Sequence, residues 1–225
     1  LQDMLEAASR ASTCGNMQLY SLIVTQSREL REALAPCHFN QPMVTQAPCV
    51  ITVCADVHRF SMWCEQRDAE PCYDNFAWFL NGVTDALLAA QNLCVEAEAH
   101  GLGICYLGTT IYTAEEIARI LDLPKGVIPV TTIVVGHPDE SPELTDRLPL
   151  DAVVHCEKYH HYTSSEIDEL WAEKETSEET RRLLEENGLP NLAQIFTRNR
   201  YRAEDNLAIS RNYFALLKKQ GFFNN

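Results

Sequence analysis

The chain has 225 residues, a mass of 25.4 kDa, 46% hydrophobic residues and a formal net charge of −14. That length suits one domain, or one domain with an extension, and the composition is ordinary for a globular protein. The charge argues against nonspecific binding to nucleic acid or anionic membranes, which need a basic surface, so an anionic ligand must find a local positive site.

The first residues, Leu1-Gln2-Asp3, lack Met, a basic start and an apolar run. No signal peptide is expected, and a segment before Leu1 is expected to be missing. Residues 1–10 read as an amphipathic helix with Met4, Leu5 and Ala8 inward. Residues 11–18 are a polar turn of small residues. Tyr20–Thr25 reads as a strand, and Ser27 caps a helix over 28–35. Residues 38–46 read as loop. Ala47-Pro48 then leads into a second strand over 49–54, with β-branched alternation. Residues 57–74 are irregular and mixed.

The next stretch organises the rest. Residues 76–100 read as one long helix, with Phe79, Leu80, Val83, Ala86, Leu87, Ala90, Leu93, Cys94 and Ala97 at helical spacing. Leu88, Ala89 and Val95 fill the other side, and a helix apolar on nearly all faces is expected to be buried. Asp85, Glu96 and Glu98 interrupt it well short of the roughly 20 apolar residues a membrane span needs. Gly101 and Gly103 are read as its stop. A short β run, 104–107, then breaks at Gly108. Such a glycine elbow beside a core suits a flat cofactor with polar edges.

Thr113 opens another helix with capping-box spacing to Glu116, and Leu123-Pro124 closes it. Residues 130–135 are a strand. Strands alternate with helices, which gives a layered α/β or α+β domain with one central sheet. Beyond Asp139 the character changes. Pro142 and Pro149 bracket a loop holding Arg147, and acidic helices cover 164–187. A last helix, 203–220, follows the basic residues Arg198, Arg200 and Arg202. The acidic helices read as a solvated outer face.

The chemistry-bearing residues each have two readings. Ser12, Thr13, Asn16 and Gln18 could hydrogen-bond ribityl or phosphate oxygens, or make an ordinary polar turn. Gly101-x-Gly103 with Gly108 is not a dinucleotide fingerprint, because the order is helix–strand and the spacing differs. Arg147 could fork onto a phosphate or be a plain surface arginine. The nine cysteines contain no C-x-x-C pair, which fits reduced, buried thiols in a reducing compartment. No metal is expected. His160 and His161 are adjacent, and their surroundings match no ligand spacing. No G-x-S-x-G, Walker A or H-E-x-x-H pattern occurs.

Taken in order, these stretches resemble the FMN-dependent nitroreductase family, most closely its NADPH-linked oxygen-insensitive nitroreductase and flavin reductase branch. The resemblance runs from about residue 1 to Tyr159. It rests on the Ser/Thr-rich turn ending in Gln18, Gln41 before Ala47-Pro48, the helix from Asp85 through Ala-Glu-Ala-His-Gly-Leu-Gly, and Tyr106-x-Gly108. Leu121-x-Leu-Pro124, Val135-Gly-His-Pro138, Arg147-Leu-Pro149 and Val154-His-x-x-x-Tyr159 follow.

The resemblance implies an α+β three-layer sandwich with a central mixed sheet flanked by helices. It assigns 1–159 to an FMN-binding core and 160–225 to a helical C-terminal arm. It further implies a cytoplasmic homodimer with FMN at the interface. Its FMN contacts fall on Thr13, Gln41, Tyr106, Gly108, Thr109 and Arg147. The Gly108 backbone N–H is the expected donor to flavin N5, and no side chain is assigned as catalytic. Arg198, Arg200 and Arg202 are candidates for the NADPH phosphate, or a solvated basic patch. The implied activity is two-electron, ping-pong reduction of nitroaromatics, quinones or flavins by NADPH or NADH. The alternative is a non-catalytic or regulatory flavin-binding member of the same fold.

Two departures stand out. The family's Arg-Ser-x-Arg segment would precede Leu1. Its Lys-Pro-Arg loop is here Thr145-Asp146-Arg147, with one cation fewer and an acid beside the remaining one.

Overall fold

The computed structural model describes residues 1–223. The helices are α1 (Gln2–Ser9), α2 (Arg28–Leu34), α3 (Met43–Gln46), α4 (His58–Glu65), α5 (Phe76–Ala99), α6 (Ala114–Ile120), α7 (Ser164–Thr176), α8 (Glu178–Asn187), α9 (Leu192–Ile195) and α10 (Ala203–Lys219). The strands are β1 (Tyr20–Thr25), β2 (Cys49–Asp56), β3 (Gly103–Leu107) and β4 (Val127–Gly136).

The strands form one sheet in the order β1-β2-β4-β3, and every pairing among them is antiparallel. The mixture of directions expected of the sheet is therefore not within these four strands. β4 begins three residues earlier than its β-branched run suggests and holds Pro129. Proline cannot donate to a ladder, yet Pro129 sits opposite Cys54, where the β2–β4 register shifts. A bulge is where an interior strand tolerates it.

One face of the sheet packs against α1 and α5. Ile51, Val53, Ile133 and Val135 meet Met4, Ala8, Ala86, Ala90, Leu93 and Ala97 there, all buried. Full burial of a side chain such as Leu93 is worth about 1.5–3 kcal/mol. On the opposite face Val50, Leu107 and Val134 pack with Ala35 and Val44, beside a second patch of Leu34, Cys37 and Ile117. Helix, sheet and helix make the three expected layers.

Glycine lets α5 lie this close. A Cβ on Gly82 would stand 3.0 Å from Ala55 Cβ and 3.1 Å from the Leu19 carbonyl oxygen. The helix ends in a Schellman arrangement. Gly101 takes φ 71°, its N–H donates to Glu98 O at 2.9 Å, and the Leu102 N–H donates to Ala97 O at 3.0 Å. Gly103 plays no part in this stop, being already the first residue of β3.

Local signals elsewhere fare unevenly. Ser27 accepts from the Leu30 N–H as a cap should. Thr113 does not cap α6; its hydroxyl donates instead to Cys37 O at 2.8 Å. Residues 57–74 are more ordered than their mixed composition suggests, because they contain α4.

By contact density the chain divides into two compact units, residues 1–139 with 209–225, and residues 140–208. Residues 209–225, read from the sequence as part of the arm, belong to the first unit. The reason is packing, since Leu216, Leu217 and Phe222 are buried with Leu19, Phe79 and Ala114. In the second unit, Ser177 ends α7 and caps α8, and Thr163 makes a full capping box with Glu166. Among the described residues no helix is long and apolar enough to cross a membrane.

Candidate functional site

The elbow after α5 is a single 3-10 turn, Gly108–Ile111, at the end of β3. Nothing lies within 4 Å of where a Gly108 Cβ would be, so the backbone there faces open space. Thr109 is half-buried, and its Oγ1 lies 2.8 Å from His38 Nδ1. The His38 carbonyl accepts from the Gln41 N–H and from Gln41 Nε2, both at 3.1 Å. Gly108, Thr109 and Gln41 therefore belong to one braced group, with His38 as its hub.

His38 is fully buried, and burial pushes its pKa down to about 4, so the imidazole is neutral near pH 7. Its Nε2 has no hydrogen-bond partner. The sequence offered no sign of this role, because His38 is one histidine between Cys37 and Phe39 in a stretch read as loop.

Tyr106 is on β3, just before the elbow, and burial, with Cys94 of α5 nearby, pushes its hydroxyl pKa up.

Thr13 stands elsewhere, in extended backbone leading into the turn Cys14–Asn16. Asp85, buried in the middle of α5, holds this loop by accepting from the Cys14 N–H at 2.8 Å and the Leu19 N–H at 3.0 Å. Arg59 grips its far end, donating to Gln18 O and, at 3.2 Å, to Tyr20 O. No hydrogen bond links the Thr13 loop to the Gly108 group among the described residues.

The remaining candidates lie in the second unit, and Arg147, Arg200 and Arg202 are engaged locally. Arg147 is exposed and its guanidinium folds back onto Thr145 Oγ1 at 2.6 Å. The acid beside it is neutralised, because Lys174 Nζ lies 2.7 and 2.9 Å from the Asp146 oxygens. Arg202 is fork-bonded to Asp205 at 2.7 and 3.1 Å, and Arg200 lies over the Phe196 ring at 5.4 Å. Arg198 is exposed.

His160 Nε2 is 3.0 Å from Glu166 Oε1, and no group of three or more His, Cys, Asp or Glu among the described residues could hold a metal. All nine cysteines are free, five of them buried.

A cavity of about 650 Å³ lies between α6 and α10, lined in part by Tyr112, Arg119, Tyr213 and Lys219. Its cations are already paired, Arg119 with Glu116 and Lys219 with Glu115. It contains none of the candidate residues.

The Nitroreductase family pattern matches residues 1–137, the stretch that holds the Gln41 loop, the apolar helix α5, the glycine elbow and the antiparallel sheet. The chain belongs to the Nitroreductase family. A solved oxidoreductase structure from Bacteroides fragilis is 49% identical with a TM-score of 0.97, covering 99% of this chain and 91% of that one. The Bacillus megaterium protein NfrA2 is 30% identical with a TM-score of 0.83, covering 100% and 89%. The Bacillus subtilis FMN reductase (NADPH) is 32% identical over 162 residues, 71% of this chain. The match spans 65% of that relative's length. This nitroreductase-family chain is therefore covered almost entirely by those two solved structures, and over 71% of its length by the B. subtilis reductase.

Proposed function

We propose that this protein is an FMN-dependent NAD(P)H oxidoreductase. The observation that carries this reading is the unobstructed Gly108 backbone, held by the Thr109–His38–Gln41 brace at the end of the edge strand β3. A rigid, side-chain-free wall suits a flat ring system, since glycine allows close backbone approach. The residues at this turn are compatible with FMN: a Gly108 Cβ would meet nothing within 4 Å, and the Thr109 hydroxyl and the Gln41 amide, both bonded to His38, lie in the same braced group. The name of the B. subtilis relative, an NADPH-linked FMN reductase, agrees with it.

When bound, FMN supplies the redox chemistry, taking hydride from a nicotinamide donor and passing two electrons to an acceptor. The chain's own part is to hold and orient. Gly108 would offer its N–H toward N5, and Thr13, Gln41 and Thr109 would bond polar edges. Arg147 would meet the phosphate once it releases Thr145, with the Asp146 charge already quenched by Lys174. Arg198, Arg200 and Arg202 would receive the NADPH phosphate; Arg202 must first leave Asp205. No side chain needs to act as acid, base or nucleophile. The order is ping-pong, with nitroaromatics, quinones or free flavin as acceptors.

We further propose a homodimer with the cofactor at its interface. The buried face of α5 is only half of that apolar helix. Leu80, Leu87, Leu88 and Val95 are 44–56% exposed in the single chain. A contiguous apolar face of this kind marks an interaction surface. A second subunit would cover it and would let the Thr13 loop of one chain meet the Gly108 turn of the other.

The test is direct. Purified protein supplied with FMN should show bound-flavin absorbance that NADPH or NADH bleaches and a quinone or nitroarene restores. Flavin that stays coloured with both nicotinamides would mean a binding protein without turnover. No bound flavin at all would remove the proposal.

A further inference from the structure

We propose that His38 is a positioning residue that turns the Thr109 hydroxyl into an outward hydrogen-bond donor. This role rests on the reading above, that the Gly108–Thr109 turn faces a flat heteroaromatic ligand.

Proton count fixes the direction of the bond between the two side chains. A neutral imidazole carries one N–H, so one ring nitrogen donates and the other accepts. His38 Nδ1 is 2.8 Å from Thr109 Oγ1, while Nε2 is buried without a partner. If the proton sat on Nε2, a buried N–H would be orphaned, and Thr109 would spend its own proton on Nδ1. If it sits on Nδ1, the orphan is only an acceptor, which structures tolerate more readily. Nδ1–H then donates to Thr109 Oγ1, and the Thr109 O–H is left with no acceptor inside the protein.

The neighbouring hydroxyls show the contrast. Thr110 Oγ1 donates to Leu107 O at 2.9 Å and lies 3.0 Å from Thr132 Oγ1. Thr113 Oγ1 donates to Cys37 O at 2.8 Å. Among the described residues, the one hydrogen-bond partner of Thr109 Oγ1 is His38.

The ring itself has little freedom. Its backbone carbonyl is held twice by Gln41, and the preceding carbonyl is held by Thr113. The arrangement selects a ligand that presents an acceptor, a ring carbonyl or unprotonated ring nitrogen, beside the Gly108 turn. A ligand presenting an N–H at that place is rejected.

Five variants test this with FMN as the probe, reading Kd by flavin fluorescence, the bound-flavin spectrum and the thermal midpoint. Thr109→Val should raise Kd about three- to tenfold, the span of one neutral hydrogen bond. His38→Leu should do the same, and the double variant should add little, since both remove one unit. His38→Asn, whose amide can reach the Nδ1 position, should recover most of the loss. Gly108→Val separates this inference from the site itself. If Gly108→Val abolishes FMN binding while Thr109→Val leaves Kd unchanged, the donor role falls and the site stands. The donor role also falls if the two single effects multiply in the double variant, or if His38→Leu shifts only the thermal midpoint. If Gly108→Val binds FMN normally, the turn is not the flavin wall and both readings fall.

Discussion

Asp85 Oδ1 accepts from the Cys14 N–H at 2.8 Å across 71 residues of sequence. With its partner oxygen on the Leu19 N–H, this buried carboxylate locks the first loop against the central helix. Hydrogen bonds to a charged group are worth about 1.5–3 kcal/mol each, and the amides left behind have no water to turn to. Asp85→Ala is therefore expected to cost about 3–5 kcal/mol in urea unfolding. Asp85→Asn keeps one acceptor and should cost roughly half as much. Equal stability of all three proteins would show that the loop is held by something else.

His38 sets a pH dependence. Its pKa is about 4 when folded against an ordinary 6.5, so between those values the unfolded chain binds more protons. Its contribution is complete above pH 6.5 and drains away as pH falls toward 4. The loss between pH 7 and pH 5 is about 2 kcal/mol for this one group. Unfolding curves at the two pH values should thus differ by about that much more in the parent than in His38→Asn. Parallel losses in both proteins would place the acid sensitivity elsewhere.

The same substitution should behave oppositely at two glycines. Gly82→Ala puts a methyl 3.0 Å from Ala55 Cβ and 3.1 Å from a carbonyl oxygen, and should destabilise by about 1–3 kcal/mol through overpacking. Gly108→Ala meets nothing within 4 Å and should leave thermal stability unchanged, while lowering flavin occupancy. Calorimetry and flavin absorbance on the two variants separate a packing glycine from a ligand-facing one.

Tyr213 ties α10 to the sheet by donating its hydroxyl to Pro129 O at 2.9 Å. Pro129 lies in the β2–β4 bulge, so its carbonyl has irregular strand neighbours. Tyr213→Phe should cost about 1 kcal/mol, and hydrogen exchange should rise in α10 before it rises in β2. Unaltered exchange in α10 would mean that Leu216, Leu217 and Phe222 suffice to hold it.

Leu87 and Leu88, each 44% exposed on α5, are expected to be covered in a dimer. Leu87→Glu with Leu88→Glu should halve the mass seen by light scattering at micromolar protein. A parent protein that is already monomeric there would remove the dimer proposal.

The sequence by itself determined what depends on neighbours along the chain. The apolar spacing of residues 76–100 specified a helix, and Gly101 specified its left-handed stop. Ser27 marked a cap, and the β-branched runs marked strands, because each signal acts within a few residues. The ordered family resemblance added Thr13, Gln41, Tyr106, Gly108, Thr109 and Arg147 as expected FMN contacts.

Tertiary structure decided where each hydroxyl and charge was spent. Thr113 has the spacing of a cap yet bonds Cys37, and Pro129 has the form of a breaker yet sits in a bulge. Asp146 looked like an obstacle to an anion yet is quenched by Lys174. His38, Asp85 and Arg59 carried no local signal at all, since their partners stand 71, 66 or 41 positions away. A hydrogen bond depends on distance in space, and only the packing of the layers brings those partners together.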